Sequence, residues 1–138
     1  MRILLDINVV LDVLLDRQPW VANAREIWRA CDEGRATGVL AAISLPTIFY
    51  IVRKVAGLDK AREAVDVCLD AFEICAVDAR VLDTARTMAG SDFEDNVQIA
   101  CATFAGVDTI VTRDPKWLAN DQVPVKSPDE IAELLLRP

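Results

Sequence analysis

Short apolar runs, each ended by an acid or a turn, alternate along this chain with longer segments whose apolar residues recur at helical spacing. Arg2-Ile3-Leu4-Leu5 has the pattern of a buried strand and stops at Asp6. A helix is predicted over residues 8–15, with Asn8 as its cap. A second starts at Pro19, which suits a first helical position, and runs to Asp32 and Gly34, with Trp20, Ala24, Ile27, Trp28 and Cys31 inward. Residues 37–42 read as a strand. Ser44 then caps a helix that ends near Gly57, and an amphipathic helix over 59–71 turns Ala61, Ala64, Val65, Cys68 and Leu69 inward. Residues 73–77 form a third strand. Asp78 caps a helix carrying Val81, Leu82, Ala85 and Met88, which ends at Gly90. Residues 109–112 are a fourth strand, with Arg113-Asp114-Pro115 turning out of its end. Residues 123–125 are an edge strand because of Pro124. Ser127 and Glu130 form a capping box for a last helix through Leu136.

Strands and helices in this alternation give an α/β domain, one unit over 1–138, with a mainly parallel sheet covered on both faces. Ligands of such sheets bind beyond the carboxyl ends of the strands. Asp6 and Asp114 fall there. So does the start of the helix in Ser91-Asp92-Phe93-Glu94-Asp95-Asn96-Val97-Gln98-Ile99-Ala100-Cys101-Ala102, read with Ser91 as N-cap, Glu94 as its capping-box partner and Gly106 as its stop. Phe93, Val97, Ala100, Cys101 and Phe104 form its inward stripe. Asp92 and Asp95 lie on another side. Acids in a first turn are favoured by the helix dipole whatever their function, but Asp95 is not needed for the cap. Four carboxylates meeting at one edge repel each other unless something positive lies between them.

The kind of cation follows from what is missing. The 138 residues include no histidine, which removes His-based zinc sites and Ser-His-Asp or Cys-His catalysis. Cys31, Cys68, Cys75 and Cys101 have no Cys-x-x-Cys spacing and read as small core residues. Oxygen ligands alone match a hard divalent ion, Mg²⁺ or Mn²⁺. The net charge of −7 opposes nonspecific binding of nucleic acid by the bare protein. Basic residues able to guide a polyanion are Arg113 and Lys116 beside Asp114, and Arg53 and Lys54 at a helix end. Asp12 and Asp16 read as solvated or surface-paired. The 53% hydrophobic content, with Ile48-Phe49-Tyr50-Ile51, predicts a homodimer covering part of this surface. Gly38, Ser44 and Pro46 break the uncharged run 36–52, so it reads as strand, turn and helix. The early Asp6 argues against a secretory signal, and the expected setting is cytoplasmic.

Three stretches, Leu4-Leu5-Asp6-Ile7-Asn8-Val9-Val10-Leu11-Asp12, residues 91–102 and Ile110-Val111-Thr112-Arg113-Asp114-Pro115-Lys116, resemble in order and spacing the signature regions of PIN domains. The resemblance covers essentially the whole chain. It implies a three-layer α/β/α fold and a Mg²⁺- or Mn²⁺-dependent endoribonuclease, many small prokaryotic examples being VapC-like toxins paired with an antitoxin. It also implies metal-ligand roles for Asp6, Asp95 and Asp114, a supporting place for Asp92 among the metal ligands, and orienting roles for Asn8 and Thr112. Thr47 stands where many members carry a glutamate, so a PIN-fold binding module without catalysis is the alternative. A haloacid-dehalogenase-like phosphatase would need an acid where Asn8 stands. A phospho-acceptor receiver would need Asp78, which reads as a cap.

Overall fold

The computed structural model describes residues 1–114, 116 and 120–137. Among them the strands are β1 (Arg2–Leu5), β2 (Thr37–Ala41), β3 (Glu73–Cys75), β4 (Thr109–Val111) and β5 (Val125–Lys126). The helices are α1 (Ile7–Leu14), α2 (Val21–Asp32), α3 (Ser44–Ala56), α4 (Leu58–Ala71), α5 (Ala79–Arg86), α6 (Phe93–Phe104) and α7 (Pro128–Leu136). The sheet is wholly parallel in the order β3-β2-β1-β4-β5. Strand order therefore reverses between β1 and β4, the point at which open α/β sheets form their ligand crevice.

Alternate residues of β1 serve opposite faces of the sheet, as strand geometry requires. Ile3 and Leu5 join a core with Val9, Val10, Ile27, Ile48, Ala61, Cys68 and Ile131, so α1–α4 and α7 cover one face. Leu4 joins Val81, Ala85, Val97, Ala100, Cys101 and Ile110, so α5 and α6 cover the other. The expected three-layer architecture is the observed one. No described helix is long and apolar enough to cross a membrane.

Several local expectations fail for physical reasons. Asp6, not Asn8, caps α1, accepting from the Ile7 N–H at 2.7 Å. Pro19 lies in the turn before α2, and Trp20 is exposed rather than inward. Ser44 is the first residue of α3 and spends its side chain on a buried tertiary bond instead of a cap. The cap of α6 is Asp92, whose Oδ1 accepts from the Asp95 N–H at 3.2 Å, so there is no capping box between Ser91 and Glu94. The one formed by Ser127 and Glu130 is present. Phe93 and Phe104 are 49% and 44% exposed, and Phe104 stacks under the Arg80 guanidinium. The buried stripe of α6 runs instead through Val97, Ala100 and Cys101. Leu69 and Leu82 are also exposed. The turn expected at Pro115 lies outside the described residues.

Asp12 is the largest departure. Its side chain is 0% exposed, neither solvated nor at the surface. It accepts from Arg113 Nε at 2.7 Å and Nη2 at 3.1 Å, with Arg17 Nη1 at 3.9 Å. The Arg113 guanidinium in turn lies 3.9 Å from the centre of the Trp20 ring. Asp16, by contrast, is surface-paired with Arg25 at 2.8 Å, as expected.

Candidate metal centre

Each acid reaches the carboxyl edge of the sheet for its own topological reason. Asp6 follows β1 directly, and Asp114 lies three residues beyond β4; the register pairs Leu5 with Val111. Helix α6 immediately precedes β4 and so runs back along the sheet, which puts its first turn, with Asp92 and Asp95, at the same edge.

Thr112 joins two of these acids. Its hydroxyl donates to Asp6 Oδ2 at 2.7 Å and accepts from the Asp114 N–H at 3.0 Å. Burial raises the Asp6 pKa. The bonds from Thr112 and the Ile7 N–H oppose that rise, while the charges of Asp95 and Asp114 add to it. The last two contributions show that the three carboxylates share one field.

Between Asp95 and Asp114 sits a cation belonging to the protein itself. Lys116 Nζ is 3.1 Å from Asp95 Oδ2 and 3.4 Å from Asp114 Oδ2. Its hydrogen bond to Asp95, with the charges of both acids, holds the ammonium above its ordinary range. Among the described residues no three acids are already gathered tightly enough to enclose an ion. The donors nonetheless fit a hard divalent ion: carboxylate oxygens from three elements, two of them reached by a single positive group. Asn8 Oδ1 is buried without a partner.

The other residues singled out from the sequence fall in different places. Asp92 is exposed and committed to its cap. Thr47 is half-buried one turn into α3, its hydroxyl 3.5 Å from the Ile43 carbonyl. Arg113 faces Asp12 and Trp20. Arg53 and Lys54 occupy the last turn of α3. Some nine residues beyond Ser44, they lie about 14 Å down a helix that leads away from the acids. Of the four basic candidates, only Lys116 is seated among the carboxylates.

Two features were not foreseen. Buried Gln98 donates through Nε2 to buried Ser44 Oγ at 3.0 Å and leaves its Oε1 without a partner. Gln98 stands three residues after Asp95, a spacing that stacks the two on one helix face. A cleft of about 580 Å³ also opens beside Asp95, walled by Thr84, Met88, Asp92, Asn96, Ile99 and Lys116 among others. Asn96 Nδ2 donates to the Gly90 carbonyl at 3.1 Å and ties down the loop at the cleft's rim. A Cβ at Gly90 would strike the Asn96 side-chain oxygen, so a larger residue there would displace the amide that ties down this loop.

Thr112→Val tests the shared hydroxyl. It leaves Asp6 Oδ2 and the Asp114 N–H without their partner, and should lower stability by about 1–3 kcal/mol in urea unfolding with chelator present. Thr112→Ser should recover most of that loss. A Val variant as stable as the parent would mean that the hydroxyl bonds contribute nothing.

The chain matches the PIN domain family over residues 2–116. No curated protein matches it. Among solved structures it is similar to VapBC2 of Rickettsia felis bound to a promoter DNA fragment, with 18% identity, 92% of this chain and 98% of that chain covered, and a TM-score of 0.69. It is also similar to VapC20 of Mycobacterium tuberculosis, a sarcin–ricin-loop-cleaving toxin (14%; 88% and 96%; 0.71). A third is FitAcB of Neisseria gonorrhoeae (20%; 91% and 97%; 0.64). At these identities the likeness to the solved structures is one of fold.

Proposed function

This chain belongs to the PIN-domain family, and from that premise we propose that it is a divalent-metal-dependent endoribonuclease, the toxin of a cytoplasmic toxin–antitoxin pair. One observation carries the reading: Asp95 and Asp114 share a single seated cation, and Asp6, bonded through Thr112 to the Asp114 backbone, lies within reach of the charges of both. These three would hold Mg²⁺ or Mn²⁺. Asp92 supports Asp95 by fixing the backbone of its turn. Thr112 aims Asp6 and steadies the loop of Asp114, and Asn8, two residues after Asp6, keeps a buried oxygen without a partner. A divalent ion there would supply an acidified water and offset charge growing on the phosphoryl oxygens.

The chain's own part is to present acceptor-only oxygens on a rigid sheet edge and to leave the neighbouring cleft open to a single strand. Lys116 is the backbone contact of choice, because Arg113 is engaged by Asp12 and Arg53 and Lys54 lie far down α3. An antitoxin partner fits the same edge, since its basic residues would be drawn to three carboxylates that the one ammonium of Lys116 offsets only in part. The VapBC2 structure is of such a pair. Homodimerisation would cover the α3 surface around Tyr50 and Val55, which are 64% and 66% exposed. Light scattering should give twice the monomer mass at tens of micromolar protein; a monomer mass there would remove the dimer.

The deciding assay incubates the protein with a mixed RNA pool in Mn²⁺, with excess chelator as blank. Cleavage in metal alone is expected, and cleavage that persists in chelator would overturn the assignment. Thr47 favours a second reading, a PIN-fold binding module short of one carboxylate. Under that reading neither the parent nor Thr47→Glu cleaves, although RNA still binds. Under the nuclease reading, Thr47→Glu tightens Mn²⁺ in calorimetry if the new carboxylate enters the site.

A further inference from the structure

The positive charge shared by Asp95 and Asp114 belongs to a side chain free to leave. Lys116 is 56% exposed at its side chain, on a flexible four-carbon stem. Its anchorage is separate from its charge, because its backbone N–H donates to Asp114 Oδ1 at 3.1 Å. The ammonium can therefore depart while the loop stays attached. Among the described residues, no other cation pairs with Asp95 or Asp114. Arg113 could not replace it without giving up Asp12 and the Trp20 ring.

A divalent ion entering among these acids would meet the ammonium at close range, and at such distances like charges repel strongly even at a protein surface. We propose that Lys116 is an exchangeable counter-ion: it occupies the divalent ion's place in the metal-free protein, is expelled as the ion enters, and then pairs with a phosphate of the bound strand. The inference rests on the metal-dependent reading above and adds an order to it, metal first and strand second. In the metal-free protein the ammonium is held by two carboxylates and has no charge to spare for RNA. In the loaded protein those carboxylates are satisfied, and the nearest anion is the phosphate backbone.

Two measurements test the exchange, and neither depends on turnover. Calorimetry with Mn²⁺ should show Lys116→Met and Lys116→Gln binding the ion about tenfold more tightly than the parent, whereas Lys116→Arg should bind no more tightly. In chelator, both neutral variants should melt below the parent, and that gap should close in saturating Mn²⁺, which also shows that they fold. The second measurement is fluorescence anisotropy of a labelled, hydrolysis-resistant phosphorothioate single strand at several salt concentrations. With Mn²⁺, the salt dependence of binding to Lys116→Met should weaken by about 0.7 in the logarithmic slope, the share of one phosphate contact. In chelator the slopes should coincide. Equal or weaker Mn²⁺ binding by the neutral variants would overturn the exchange, and so would a slope difference present without metal. Tighter Mn²⁺ binding by the variants beside a parent that never cleaves RNA would keep the exchange and sink the nuclease reading.

Discussion

Asp12→Ala should lower the stability of the protein by about 3–5 kcal/mol in urea unfolding, the range for breaking a buried ion pair from one side. The Asp12 carboxylate is wholly buried, and it satisfies both Nε and Nη2 of Arg113. Removing it leaves the partly buried Arg113 guanidinium with only the face of Trp20 beside it, and a void where the wholly buried acid stood. Small domains are stable by about 5–15 kcal/mol in total, so this is a large share. Removing both partners is a different experiment. Asp12→Leu with Arg113→Met replaces two charges by apolar groups of similar reach, and should recover much of the loss. A cost below about 1 kcal/mol for each single change would mean that the pair is solvated in the folded protein.

The second large effect is on activity. Asp6→Asn, Asp95→Asn and Asp114→Asn each keep the size of the side chain and remove one charge. Loss of a group that merely orients a metal ligand costs roughly 10–100-fold, so loss of a ligand should cost more than about 100-fold in RNA cleavage. Because the three act as a unit, the triple variant should be no worse than the singles. Glu94→Gln is the control: Glu94 is exposed and Asp92 holds the cap, so activity should be unchanged. In chelator, Asp95→Asn should be at least as stable as the parent only if the acids repel more than Lys116 compensates. Denaturation of both proteins without metal reads that balance directly. Additive losses among the three acids, or full activity in Asp95→Asn, would dissolve the common site.

The sheet and its acids were legible because both follow from strong local patterns. Runs such as Arg2–Leu5 are too short and too apolar to be anything but buried strands. A parallel arrangement then fixes where the residue after each strand must lie. The placement of α6 followed in the same way, since a helix immediately before a parallel strand must start at the carboxyl edge. Caps were misread at Ser91 and Asn8 because a polar residue one or two positions away, Asp92 or Asp6, competes for the same role, and a single turn of backbone decides between them. Asp12 was misread for want of context. Yet it is the lone acid in Val9-Val10-Leu11-Asp12-Val13-Leu14, and a helix apolar all round is a buried helix; an acid inside it needs a cation, which the sequence could not locate 101 residues away. Lys116 could be placed near Asp114 but not between two carboxylates, because that contact depends on a side-chain torsion.

The pairing of Leu5 with Val111 has a consequence for misfolding. Asp6 and Asp114 are spaced by that register and by nothing else in the sheet. Slippage of β4 by one residue would draw Asp114 back by about 3.3 Å. The same slip would turn Ile110 to the opposite face, away from Leu4, Val97 and Ala100. The strand alignment thus acts as a proofreading gauge: a chain that zips in the wrong frame spoils its hydrophobic layer and its ligand spacing together. A mis-threaded copy is in this way disarmed by the same error that makes it unstable, a useful safeguard for a protein proposed to cut the cell's own RNA.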